Sequence, residues 1–89
     1  MRYFEVVDPY YALIKAENKE IARDEYIAHV ANDEDGTLID SIEEVQSDYA
    51  ITKYSRTLSE DGIEIPLNEI LNNIRSDINM VLIVDGNLA

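Results

Sequence analysis

Hydrophobic residues recur along this chain with two rhythms, which divide it into short strands and helices. At the start, Arg2 to Val7 carries Tyr3, Phe4, Val6 and Val7, an aromatic and β-branched composition that fits a strand. Asp8-Pro9 follows as turn chemistry, and Tyr10 to Ala16 (YYALIKA) reads as a second strand, most simply the hairpin partner of the first. Asn18 is suited to cap the helix that follows, KEIARDEYIAHVA. Its apolar stripe is Ala22, Tyr26 and Val30, with Ile27 alongside and Arg23 close to the stripe.

Asp35-Gly36 is a turn signal. Ser41 to Gln46 reads as a short strand with Ile42 and Val45 as its apolar members, although a helical turn fits the same residues. Ser47 then has the chemistry of a helix cap, and Ala50, Ile51, Tyr54 and Leu58 recur on one helical face. Ser59 to Ile65 reads as a loop containing Asp61-Gly62. Pro66 opens the best-patterned helix, in which Leu67, Ile70, Leu71, Ile74 and Ile78 follow helical spacing. Met80 to Val84 is a continuous apolar run, bounded by Asp85-Gly86, and predicts a central strand covered on both faces. The predicted order is β-β-α-β-α-α-β in one domain spanning residues 1–89. The fold class is α+β, a small mostly antiparallel or mixed sheet with the helices packed on one face.

Charge changes this picture more than composition does. Nineteen acidic residues stand against 7 basic ones, for a net charge of −12. That balance disfavours direct nucleic-acid binding and anionic membranes, both of which require a positive footprint. It favours a basic partner, or simply solubility. An apolar content of 46% separates the chain from disordered acidic tails, and the absence of cysteine rules out disulfides and thiolate metal sites. The run Met80–Val84 is far too short to cross a bilayer, so a soluble, intracellular protein is expected.

Enzymatic chemistry finds little to work with. His29 is the only imidazole, and Gly36, Gly62 and Gly86 are too widely separated to form a phosphate-cradling loop. No catalytic residue and no cofactor are assigned. An EF-hand register with Gly36 at position six puts Asp33 and Asp35 at positions three and five. It leaves Ala31 and Ile42 at positions one and twelve, where oxygen ligands are required. A divalent-cation domain is therefore the weakest of the functional readings.

The distribution of charge is more informative. Between Arg23 and Lys53 there is no Lys or Arg, while Asp24, Glu25, Asp33, Glu34, Asp35, Asp40, Glu43, Glu44 and Asp48 all fall there. Carboxylates two apart on a strand, or three to four apart on a helix, are separated by about 5–7 Å, similar in scale to a phosphate repeat. Carboxylates also accept the bidentate arginine hydrogen bonds that phosphates accept. The candidate partner-binding residues are Asp33, Glu34, Asp35, Asp40, Glu43, Glu44 and Asp48. Glu60, Asp61 and Glu64 form a lesser patch in the later loop. Of six tyrosines, Tyr26 and Tyr54 lie on apolar stripes and are expected in the core, whereas Tyr49, beside Asp48, is the better contact residue and Tyr10 the next. The plain alternative is two solvated acidic loops on a soluble protein.

The opening MRYFEVVDPYYALIKAENKE, followed by a helix, resembles small proteins of phages and prophages in Gram-positive bacteria. In size, acidity and lack of catalytic residues the whole chain also resembles the type II anti-CRISPR proteins. That group is not one fold, and no residue is carried over from it. The resemblance implies a non-enzymatic inhibitor of Cas9, with or without its guide RNA, that occupies a positive groove built for DNA. The alternative is a small phage accessory or structural interaction protein, monomeric or homodimeric, whose acidity only confers solubility.

Overall fold

Arg2–Val6 (β1) and Tyr11–Ala16 (β2) form an antiparallel hairpin in which Val6 faces Ala12, Phe4 faces Ile14 and Arg2 faces Ala16. In this computed structural model the described residues are 1–8, 10–60 and 67–85, with the side chains of 57–60 and 85 left aside. The hairpin is followed by α1 (Lys19–His29), α2 (Leu38–Ser41), β3 (Ile42–Val45), α3 (Ser47–Glu60), α4 (Leu67–Arg75) and β4 (Met80–Asp85). The α+β class and the predicted order hold, with the one-turn α2 as an addition. Of the two readings of Ser41 to Gln46 the strand is the one observed, as Ile42–Val45; the helical turn lies before it, at Leu38–Ser41.

The sheet order is β3-β1-β2-β4, and every neighbouring pair is antiparallel. The apolar run Met80–Val84 is therefore an edge strand among the described residues, not the central one. The strand covered on both faces is β2, all six of whose residues are buried. An uninterrupted apolar run is ambiguous here, because an edge strand touched by helices on both sides reads the same way. Val81 packs into one hydrophobic cluster, Leu82 and Ile83 into another, and Val84 is half exposed. A register shift between Leu13 and Ile14 pairs them with Ile83 and Val81, leaving Leu82 as the bulged residue.

Strand alternation sends side chains to opposite faces, and in β1 and β2 both sets are largely apolar. Phe4, Val6, Ala12, Ile14 and Ala16 meet Ala22 and Tyr26 of α1, Leu38 of α2, and Ile42. Tyr3, Tyr11, Leu13 and Ile83 meet Ala50 and Tyr54 of α3, with Ile70 and Ile74 of α4 packed against them. The helices consequently divide between the two faces, where the sequence pattern suggested one. Two apolar faces on the central strand require two covers.

Local chemistry fixes the helices. Asn18 caps α1 as predicted, its Oδ1 accepting from the Ile21 N–H at 2.9 Å. Tyr26, fully buried, donates its hydroxyl proton to the Tyr10 carbonyl at 3.0 Å and accepts from the Tyr10 N–H at 3.0 Å, which ties α1 to the hairpin turn. Ser47 lies inside α3 as its first residue rather than before it. On the other face, the fully buried Lys15 sends its ammonium to the end of α4, donating to the Ser76 carbonyl and hydroxyl at 2.8 Å each and to the Asn73 carbonyl. Pro66 and most of the predicted Ser59–Ile65 loop lie outside the described residues. Among the described residues, no helix is long and apolar enough to cross a membrane.

Candidate functional site

The acidic stretch after α1 is organised around Asp33. Its Oδ1 accepts from the Leu38 N–H at 3.1 Å, and the Gly36 N–H donates to the Asp33 carbonyl at 3.4 Å. Gly36 adopts φ 70°, the left-handed conformation that suits glycine at this turn. Asp33 is thus half-buried and occupied in closing its own loop, whereas Glu34, Asp35 and Asp40 are exposed. An open groove of about 460 Å³ beside the loop is lined by Asp8, Tyr10, Asp33, Glu34, Asp35 and Ser41, among others. Among the described residues, no group of three or more His, Asp or Glu side chains is arranged to hold a metal ion. Tyr10 is half-buried, and its backbone is engaged by Tyr26.

The second part of the acidic field lies on β3. Register places Glu44 opposite Phe4 and Glu43 opposite Glu5, so the two neighbours project to opposite faces of the sheet. Both are exposed, as is Asp48 in the first turn of α3, where negative charge suits the helix dipole. Glu44 meets Arg2 at 3.6 Å with both side chains about half exposed (52% and 57%), a contact too solvated to neutralise much charge. A second open groove, of about 790 Å³, runs along this edge between Met1, Arg2, Glu44, Val45, Ser47 and Asp48. The carboxylates therefore do not share one flat face; they wrap the β3 edge and the loop before α2.

Behind them is a feature that sequence reasoning missed. Glu5 Oε2 accepts from the Tyr11 hydroxyl at 2.7 Å, the Tyr49 hydroxyl at 2.8 Å and the Lys53 ammonium at 3.1 Å. The Lys53 Nζ also lies 4.3 Å from the Tyr11 ring centroid and 5.6 Å from that of Tyr49, within cation–π range. Burial pushes the Glu5 carboxyl up, but the hydrogen bonds from Tyr11, Tyr49 and Lys53 outweigh it and hold the group below its ordinary value. Tyr11 is pushed up to about 12, chiefly by burial and further by the Glu5 carboxylate. Burial works against the Lys53 ammonium, yet its hydrogen bonds to Tyr11, Glu5 and Tyr49 prevail and raise it.

Two consequences follow for the acidic field. Like charges directly opposite on paired strands are unfavourable, and the Glu5–Glu43 pair is tolerable because Glu5 is turned to three donors of its own. Lys53, the first basic residue after the field, has its charge engaged by Glu5. Tyr49, expected as a contact residue, keeps 45% of its surface exposed while its hydroxyl is held internally. The available sequence signals were the i, i+4 spacing of Tyr49 and Lys53 and a carboxylate in an otherwise apolar strand.

Of the later patch, the Glu60 backbone ends α3, while Asp61 and Glu64 lie outside the described residues. The His29 Nε2 lies 3.3 Å from Glu25 Oε2 on the solvent side of α1, with 61% of its side chain exposed.

A model of the YosH C-terminal domain matches residues 1–83, and the chain belongs to that family. It is 47% identical over 88 residues to the SPbeta prophage-derived uncharacterized protein YosH of Bacillus subtilis (strain 168). The match takes in 99% of this chain and 56% of that relative, so the chain spans about half the relative's length. The resemblance to phage and prophage proteins of Gram-positive bacteria stands on these matches; the relative's description states its prophage origin and no activity. No solved structure matches the chain.

Proposed function

We propose that this member of the YosH C-terminal domain family is a non-enzymatic binding domain that sets its acidic surface against a basic, nucleic-acid-handling protein. The observation that carries this reading is the exposure of Glu34, Asp35, Asp40, Glu43, Glu44 and Asp48 in a stretch with no Lys or Arg between Arg23 and Lys53. Repulsion within one patch costs stability, and a surface evolved only for solubility mixes its signs. The nearest cation in sequence, Lys53, is engaged by Glu5 and does not offset the field.

Cas9 is the target to test first. It reads its short duplex signal with arginines and holds the guide–target heteroduplex in a positive channel, chemistry that a carboxylate array can occupy in place of DNA. The purified chain should co-elute with a Cas9–guide complex at low salt and dissociate as salt rises. Failure to co-elute at low salt would remove Cas9 as the target.

A second reading, a homodimeric phage accessory protein, is favoured by one observation: among the described residues, Leu67 (70% exposed), Ile78 and Val84 present apolar surface around α4 and β4. It predicts a concentration-dependent dimer by sedimentation and indifference to neutralisation of Glu43, Glu44 and Asp48.

A further inference from the structure

The two edges of the sheet are built differently. At one edge, β4 is apolar from Met80 to Val84, and its outline is broken by the bulge at Leu82, a common guard against strand addition. At the other, β3 is regular over its four residues and paired in register with β1. Among the described residues β1 is its only strand neighbour; apart from the Ile42 N–H, which donates to the Ile39 carbonyl, the N–H and C=O groups along its outer side have no ladder partner. The groove lined by Glu44, Val45, Ser47 and Asp48 opens beside this edge.

Glu43 and Glu44 give the edge its selectivity. They occupy consecutive positions, so one carboxylate lies on each face of the strand. A second copy of this chain pairing there would bring like charges together, and an apolar strand would leave both carboxylates without partners. A strand with two consecutive basic residues would match them, one on each face, with Cβ atoms about 4.5–5.5 Å away across the new pair. Asp48 extends the same negative field at the end of the strand.

We infer that β3 is a strand-addition site for a basic, extended protein segment, whose main chain pairs with the open edge while two adjacent arginines or lysines meet Glu43 and Glu44. This inference rests on the reading of the acidic surface as a docking site, and it supplies the mode of recognition. Main-chain hydrogen bonds would provide the attachment, and the alternation of side chains would provide the specificity.

The test uses the full chain, isotope-labelled, and three synthetic peptides. The first is acetyl-Thr-Val-Arg-Arg-Val-Thr-amide; the second has Glu-Glu in place of Arg-Arg; the third keeps both arginines but is N-methylated at their backbone nitrogens. The first peptide should bind and slow hydrogen exchange of backbone amides within Ile42–Val45. The acidic peptide should not bind, and the N-methylated peptide should bind at least about ten-fold more weakly, because it retains the charge and lacks the donors. The double variant E43Q/E44Q should weaken the first peptide by about ten-fold at low salt. Equal binding of the N-methylated peptide, or binding without amide protection in β3, would overturn strand addition while leaving the acidic-surface reading intact. No binding of the first peptide would overturn it too, whatever Cas9 does.

Discussion

The ammonium of Lys15, on the central strand, donates to both the carbonyl and the hydroxyl of Ser76, just past the end of α4, at 2.8 Å each. A buried lysine without a carboxylate in contact is costly, and burial lowers its proton affinity, with Asp77 opposing. It is tolerated because the last carbonyls of a helix need donors and carry partial negative charge. The cap matters because α4 has no fully buried residue of its own.

Replacing Lys15 with methionine should therefore destabilise the protein by about 1–3 kcal/mol, since the Ser76 carbonyl would lose its donor and the Asn73 carbonyl would keep only the Ser76 hydroxyl. Urea unfolding measures the total. Hydrogen exchange should show faster exchange in α4 with little change in α1; uniform loosening would contradict the capping role.

The Glu5 cluster should shape the pH dependence of stability. Glu5 is held below its ordinary value in the folded chain, so its contribution is present above the usual carboxylate range and lost as pH falls through the lowered value. Tyr11 is raised to about 12 and Lys53 is raised as well, so their contributions are complete below about pH 10 and lost as pH rises through the folded values. Urea midpoints of Glu5→Gln across the acidic range should show a shallower acid loss than the parent chain. An unchanged acid slope would exclude Glu5 as its source.

Tyr26→Phe should cost about 1–2 kcal/mol, by leaving the contacts to the half-buried Tyr10 carbonyl and N–H unmade at the hairpin turn. Thermal unfolding reads this directly. A change within error would mean that the turn finds other partners.

Much of the fold was legible because its signals are local. The aromatic and β-branched composition of Arg2–Val7, the turn chemistry that separates it from Tyr10–Ala16, the Asn18 cap and the apolar spacing of α4 each depend on neighbours in sequence. The position of β4 at the edge, and the division of helices between two faces, depend on which strand sits beside which. YALIKA hides this especially well, because Lys15 interrupts an apolar strand that is nonetheless buried throughout. The acidic site was legible as composition and not as shape. Residue spacing cannot say that Glu43 and Glu44 straddle a sheet edge, that Asp33 closes its own loop, or that Glu5 gathers Tyr11 from β2 and Tyr49 and Lys53 from α3.

Neutralising the exposed carboxylates as E43Q/E44Q/D48N should leave stability within about 0.5 kcal/mol or raise it slightly, because these side chains are exposed and the Glu5–Glu43 repulsion is relieved. Circular dichroism with urea checks this. A large loss would mean that the carboxylates serve the fold instead of a partner.

The most direct measurement is competition: target-DNA binding by a Cas9–guide complex, titrated with the parent chain and with E43Q/E44Q/D48N at low and high salt. The account predicts that the parent chain displaces DNA, that high salt weakens the effect steeply, and that the triple variant loses it while remaining folded. DNA binding undiminished at large molar excess would contradict the proposal for Cas9, and equal displacement by the triple variant would contradict the role given to the acidic edge.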